Sequence, residues 1–169
     1  MLSGFELSVI GAGCESEDRV IIMIRKAVFN DLSRIAEILV FNYRLYFYPI
    51  FQSDEYYFDK LRVPSLMKAY EAGLDTLYVY DDGVVKGFLK IEGTYIARLF
   101  VEPVLQNASI GSRLLDYAVK EHHADHLWVL EKNVKAMRFY ERHGFTATGE
   151  KKPEDGTTEY LVLFTKEKK

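Results

Sequence analysis

The strongest constraint on this chain is a change of hydrophobic period. Residues 76–103, TLYVYDDGVVKGFLKIEGTYIARLFVEP, follow a repeat of two, whereas the segments on either side repeat at helical spacing. A turn at Asp81-Asp82-Gly83 and a break at Gly93 divide the run into three consecutive antiparallel strands. Helical patterns before and after this meander make the chain an α/β domain around a mixed, mostly antiparallel central sheet flanked by helices.

The remaining elements follow from the same signals. RVIIMIRKAV, residues 19–28, is rich in β-branched residues and reads as a buried strand. NDLSRIAEILVFNY, residues 30–43, places Ile35, Ile38 and Leu39 at helical spacing behind Asn30 as N-cap. A second helical region spans 43–72, interrupted by Pro49 and Pro64 and ending near Gly73. After the meander come a helix from Ile110 to His123, a strand HLWVL, and a helix from Asn133 to His143 closed by Gly144. FTATGEK and TEYLVLFTK, joined by KPEDGT, close the chain as two strands. The order is βααβββαβαββ, one domain over 23–169. Residues 1–22 stand apart as an N-terminal extension of open role, in which FELSVIG is either an appended segment or an extra strand.

A length of 169 residues suits one core rather than two, and 12 Tyr with 11 Phe rule out a disordered tail. A net charge of −3 argues against a nucleic-acid or anionic-membrane partner. The single cysteine, Cys14, forms neither an intrachain disulfide nor a thiolate metal cluster. No apolar run approaches the roughly 20 residues of a membrane helix, and no basic secretory n-region opens the chain. These features point to a soluble cytoplasmic protein.

Chemistry concentrates at two helix starts. QNASIGSRLL, residues 106–115, follows a strand and opens a helix with small residues at Ala108, Ser109, Gly111 and Ser112. Free amides and the helix dipole favour an anion there, and small side chains leave the amides accessible. Taken alone, the stretch is either an anion cradle or the start of an ordinary helix. NVKAMRFYERHGF, residues 133–145, has an Asn N-cap, a glycine stop and the apolar Phe145 beyond it. On its residues alone it is a capped helix packing Ala136, Phe139 and Tyr140.

Together, VEPVLQNASIGSRLLDYA and NVKAMRFYERHGF resemble the two signature motifs of the GCN5-related N-acetyltransferase (GNAT) superfamily. Gln106, Ser109 and Gly111 match its Q/R-x-x-G-x-G/A pattern, with Ser109 in place of a glycine. Asn133, Tyr140, Gly144 and Phe145 match the second motif. The resemblance covers about residues 23–165 and implies a single GNAT-type domain.

It further implies that acetyl-CoA is the cosubstrate, with no metal, and that it lies between the strands RLFV and LWVL. Backbone groups of Leu99, Phe100 and Val101 would hold the pantetheine, and Gln106, Asn107, Ala108, Ser109, Ile110, Gly111 and Ser112 the pyrophosphate. Asn133 would steady the pantetheine arm, alongside its role as N-cap. Tyr140 would be the general acid at the departing thiolate. The implied reaction is N-acetylation of a primary amine on a small molecule or peptide. The alternative is a GNAT-fold module that binds acyl-CoA without turnover; a homodimer is compatible with either.

The base is open. The glutamate of many family members falls near Ala97 or Arg98, and that of the ribosomal-protein acetyltransferases falls at Trp128. Glu92, Glu131, Tyr95 and a water chain are the remaining candidates. The aromatic stretch FNYRLYFYPIFQSDEYYF is divided between core packing and a pocket wall for the acceptor. Arg98 is open to facing an acidic group of the substrate but is expected to be solvated, and His122, His123 and His126 are expected to mark a helix end.

Overall fold

The structure, a computed structural model, describes residues 23–167; the extension 1–22 lies outside the described residues. The chain runs β1 (Met23–Lys26), α1 (Leu32–Asn42), α2 (Tyr48–Phe51), α3 (Val63–Glu71), β2 (Leu77–Asp81), β3 (Val85–Glu92) and β4 (Tyr95–Val101). It continues through α4 (Ile110–His122), β5 (His126–Leu130), α5 (Val134–Arg142), β6 (Thr146–Pro153) and β7 (Tyr160–Thr165). Seven strands form one sheet in the order β1-β2-β3-β4-β5-β7-β6. Each neighbouring pair is antiparallel except β4 and β5, as the sequence led us to expect of a mixed, mostly antiparallel sheet.

Both faces of the meander are buried, which explains why LYVY is apolar at every position. Val79 and Phe88 pack against Leu32, Ile35, Ile38 and Leu39 of α1, with Leu66, Met67 and Tyr70 of α3 at the margin. Tyr78, Tyr80 and Leu89 on the other face join Leu114, Leu115 and Ala118 of α4 and Tyr140 of α5. Gly87 permits this second contact. A Cβ there would stand 3.0 Å from the Phe100 carbonyl oxygen and 3.1 Å from Leu114, so a side chain would push α4 off the sheet.

Two local readings are corrected. Asn30 does not cap α1. A 3-10 turn over Phe29–Asp31 leads into the helix, and the Asp31 carboxylate accepts from the Val28 amide at 2.8 Å. Arg25, bonded to both Asp31 and Asp81 at 2.7 Å, fixes that carboxylate and ties the helix entry to the sheet edge. Burial raises the Asp31 pKa, but the Arg25 and Val28 bonds outweigh it and hold the carboxyl below its usual range. The second helical region is also more broken than its two prolines suggest. Pro49 and Pro64 each sit at the start of a helix, where a missing N–H costs nothing. Wide π-helical turns over Tyr43–Phe47 and Glu55–Lys60, with Gln52 at φ 49°, carry the chain between them.

Candidate active site

The one parallel pair is joined at a single place. β4 and β5 meet at Tyr95 and His126 and then diverge, opening a cleft of about 540 Å³ toward their C-terminal ends. His126, expected at a helix end, instead lies on β5 and closes the narrow end of the cleft. It stacks on Tyr95 at 5.2 Å and contacts Asp125 at 2.7 Å. His122 packs against Tyr78, and His123 ends α4 in a left-handed conformation.

The ladder on the other edge of β4 decides which backbone groups face the gap. The Glu102 amide bonds the Lys86 carbonyl, so the register makes Phe88 and Phe100 the next hydrogen-bonded pair. The groups of Leu99 and Val101 therefore point away from β3, into the gap. The backbone of Phe100 is used by the sheet, and that residue reaches the cleft through its ring. The Val101 carbonyl accepts a 3.0 Å bond from Asn42 Nδ2.

The floor of the cleft at its wide end is the loop before α4. Asn107 (φ 69°) and Ser109 (φ 62°, ψ 4°) are left-handed, which turns successive amides toward one concavity. The first bond of α4 runs from the Arg113 amide to the Ser109 carbonyl. Among the described residues, the amides from Asn107 through Ser112 donate to no protein group. Ser109 and Gly111 line the cleft; Ala108 lies outside its lining, and the Ile110 side chain is buried in the core. These two can contribute only through their amides.

The Gln106 side chain is committed elsewhere. Its Oε1 accepts from Tyr46 Oη at 2.9 Å and Lys135 Nζ at 2.6 Å, and its Nε2 donates to Asn42 Oδ1 at 3.2 Å. Asn42, only 2% exposed, passes the connection on to Val101. Gln106 thus braces the cradle from three directions. The sequence places Asn42 only at helical spacing with Ile35, Ile38 and Leu39, and assigns none of Asn42, Tyr46 and Lys135 to the site, because each comes from a segment that resembles ordinary amphipathic helix. Ser112 Oγ lies 2.9 Å from His143 Nε2, and His143 Nδ1 lies 2.7 Å from the Phe139 carbonyl. The carbonyl can only accept, so Nδ1 donates, leaving Nε2 of a neutral ring to accept from Ser112.

α5 supplies the far wall. Asn133 Oδ1 accepts from the Ala136 amide at 3.1 Å and caps the helix, while its Nδ2 has no protein partner among the described residues. Gly144, at φ 81°, ends the helix, and the Phe145 amide returns to the Tyr140 carbonyl at 3.1 Å. A Cβ there would also sit 3.0 Å from Lys166 Nζ. This stop orients Tyr140, whose ring is 8% exposed between Phe139 and Phe145. Its hydroxyl makes no hydrogen bond to the protein among the described residues and borders the cleft. Burial above all, with Tyr95 second, pushes its pKa far above that of an ordinary phenol. The group stays protonated and offers one unused O–H donor.

The candidate bases are tied up. Glu92 holds Lys90 at 2.5 Å, and Glu131 holds Lys151. Arg98 is exposed, as expected, on the face of β4 away from α4, where Tyr43, Tyr70 and Tyr95 act on its charge. Among the described residues no group of three or more His, Cys, Asp or Glu side chains is placed to hold a metal ion. No helix among them is long and apolar enough to cross a membrane.

Residues 54–160 match the family model of the acetyltransferase (GNAT) domain. The chain is 34% identical over 84 residues to the peptidyl-lysine N-acetyltransferase YiaC of Escherichia coli, an alignment that spans 49% of this chain and 58% of that relative. In three dimensions it resembles the PaiA N-acetyltransferase of Thermoplasma acidophilum, solved in complex with coenzyme A (TM-score 0.61, 23% identity, 86% of this chain and 99% of that one). An N-acetyltransferase of Staphylococcus aureus Mu50 superposes with TM-score 0.69 at 14% identity, covering 84% of this chain and 98% of that one.

Proposed function

The chain belongs to the GNAT acetyltransferase family, and on that premise we propose that it transfers an acetyl group from acetyl-CoA to a primary amine of a small molecule or a peptide. One observation carries the reading: a row of unsatisfied amides and an unused tyrosine hydroxyl border the same cleft.

The residues suit the ligand. A pyrophosphate needs several donors and positive potential, and the amides of Asn107 to Ser112 at the N-terminus of α4 offer both. Lys135, bonded only to the neutral Gln106 amide, and Arg142 add charge along the same wall. The Leu99 N–H and C=O and the Val101 N–H, which face the gap, suit an amide-bearing arm laid beside β4 as an added strand. Bound acetyl-CoA supplies an activated acyl carbon: the amine nitrogen forms the new C–N bond, the C–S bond breaks, the amine loses one proton and the sulfur gains one.

Tyr140 acts at the sulfur. A phenol near pKa 10 is a weaker acid than a thiol near 8.5, so full transfer costs about 2 kcal/mol in water. Burial raises the phenol further, and it raises a thiolate in the same cleft as well. Tyr140 therefore stabilises the departing sulfur first as a hydrogen-bond donor, with the proton following as charge builds. Glu92 and Glu131 pair with lysines outside the cleft lining, so the amine enters already neutral and gives its proton to water.

Thiol release from acetyl-CoA across a panel of primary amines, with calorimetry of CoA binding, tests this. Stoichiometric acetamide and free thiol are expected. CoA binding without turnover of any amine would overturn it in favour of a binding module.

A further inference from the structure

The acceptor side of the cleft carries a cation that the fold does not neutralise. Leu99 packs with the α4 core and Phe100 with the α1 core, so alternation along β4 directs Arg98 to the α1–α3 face. On β5, Leu127 and Val129 are buried against α4, which turns Trp128 to the same face as Arg98. Tyr95 stands at the closed end of the gap, and Tyr43 and Tyr70 approach from the helical layer. A guanidinium therefore lies exposed on the helical face of the sheet, beside the opening between β4 and β5, with these rings in its neighbourhood.

Its bonding is sparse. Nη1 donates to the neighbouring Ala97 carbonyl at 2.6 Å, the Tyr70 hydroxyl is a second hydrogen-bond partner, and among the described residues Arg98 forms no ion pair. Glu154, on the β6–β7 connection, acts on it from beyond salt-bridge distance. The structural arginines differ: Arg25 is held by Asp31 and Asp81, and Arg34 by Glu37 and Glu102. A guanidinium has five N–H donors in a planar fork that matches a carboxylate, and most of those on Arg98 remain open. A bidentate pair of this kind is also geometrically selective.

We infer that Arg98 is a specificity determinant that binds a carboxylate on the acceptor, so that the amines acetylated are those carrying an acidic group near the reacting nitrogen. This rests on the acetyl-transfer reading. The carboxylate has two possible sources: the α-carboxylate of a free amino acid, or an acidic side chain beside a lysine in a peptide.

The test uses matched acceptors in two arms, an amino acid against its α-amide and a lysine peptide with a neighbouring Asp against the same peptide with Asn. In one arm or the other, kcat/KM should favour the carboxylate by roughly 10- to 100-fold, mainly through KM. Arg98→Gln should bring that ratio close to one, and Arg98→Glu should invert it toward a peptide with a neighbouring Lys. CoA affinity measured by calorimetry should not change in either variant. Equal rates on carboxylate and amide in both arms, or a preference that survives Arg98→Gln, would overturn the assignment. Binding of the same pairs to the CoA-saturated protein is measured alongside. A protein that acetylates nothing yet still binds the carboxylate member more tightly would refute acetyl transfer and keep the Arg98 site.

Discussion

The two sides of the β4–β5 cleft are made of different materials. On the side proposed for the cofactor the groups are backbone amides, presented by a short contiguous loop whose side chains are small enough to stay out of the way. On the side proposed for the acceptor, beyond the cleft lining itself, they are side chains from distant segments: Tyr43 at the end of α1, Tyr70 on α3, Tyr95 and Arg98 on β4, Trp128 on β5. The first can serve one constant ligand with almost any helix behind it. The second can be rewritten residue by residue without disturbing the first. A polar chain, Val101–Asn42–Gln106–Lys135, links β4 and α1, which Tyr43 follows, to the loop before α4 and to α5.

That division yields tests of decreasing size. Tyr140→Phe removes the only group proposed to act at sulfur and should lower kcat by about 10²- to 10³-fold with CoA affinity nearly unchanged. Unchanged turnover would remove Tyr140 from the mechanism. Varying pH probes the acceptor side next. A lysine-like amine of pKa about 10.4 gains neutral fraction nearly tenfold per pH unit, so log kcat/KM should climb with slope near one. Because the Tyr140 pKa is raised, its acid form persists and no falling limb should appear below about pH 10. A descending limb below that pH would mean that some other acid is required.

Gln106→Ala attacks the link itself. It strips partners from the buried Asn42, from Tyr46 and from Lys135, and should weaken both CoA affinity and amine KM by about tenfold. A loss confined to one side would show that the two are not coupled. Ser109→Gly has the smallest expected effect. Removing the side chain from a left-handed residue relieves strain, so CoA should bind about 2- to 5-fold tighter with amine KM unmoved. Weaker binding instead would make the hydroxyl a phosphate ligand.

How much the sequence reveals follows the same line. The meander and the two helix starts are local or periodic features, the splayed strands follow only from the family resemblance, and Gly144 with Phe145 announces its own helix stop. Ser109 at φ 62° fits the glycine that the motif usually carries there. The 3-10 turn before α1 stayed hidden because Arg25, not the helix pattern, holds the Asp31 carboxylate on the Val28 amide. The π-helical turns were hidden because tertiary packing widens what reads as continuous helix. Arg98 is exposed, as its charge suggests, but no local pattern reveals that Tyr43 and Tyr70, far away in sequence, come near it.

The central claim is that the amides before α4 hold a pyrophosphate. Titrating 15N-labelled protein with CoA and following the backbone amide shifts tests it most directly. The Asn107 to Ser112 amides should move most, downfield as their free N–H groups acquire anionic acceptors. Saturable CoA binding that leaves these amides unshifted would contradict it.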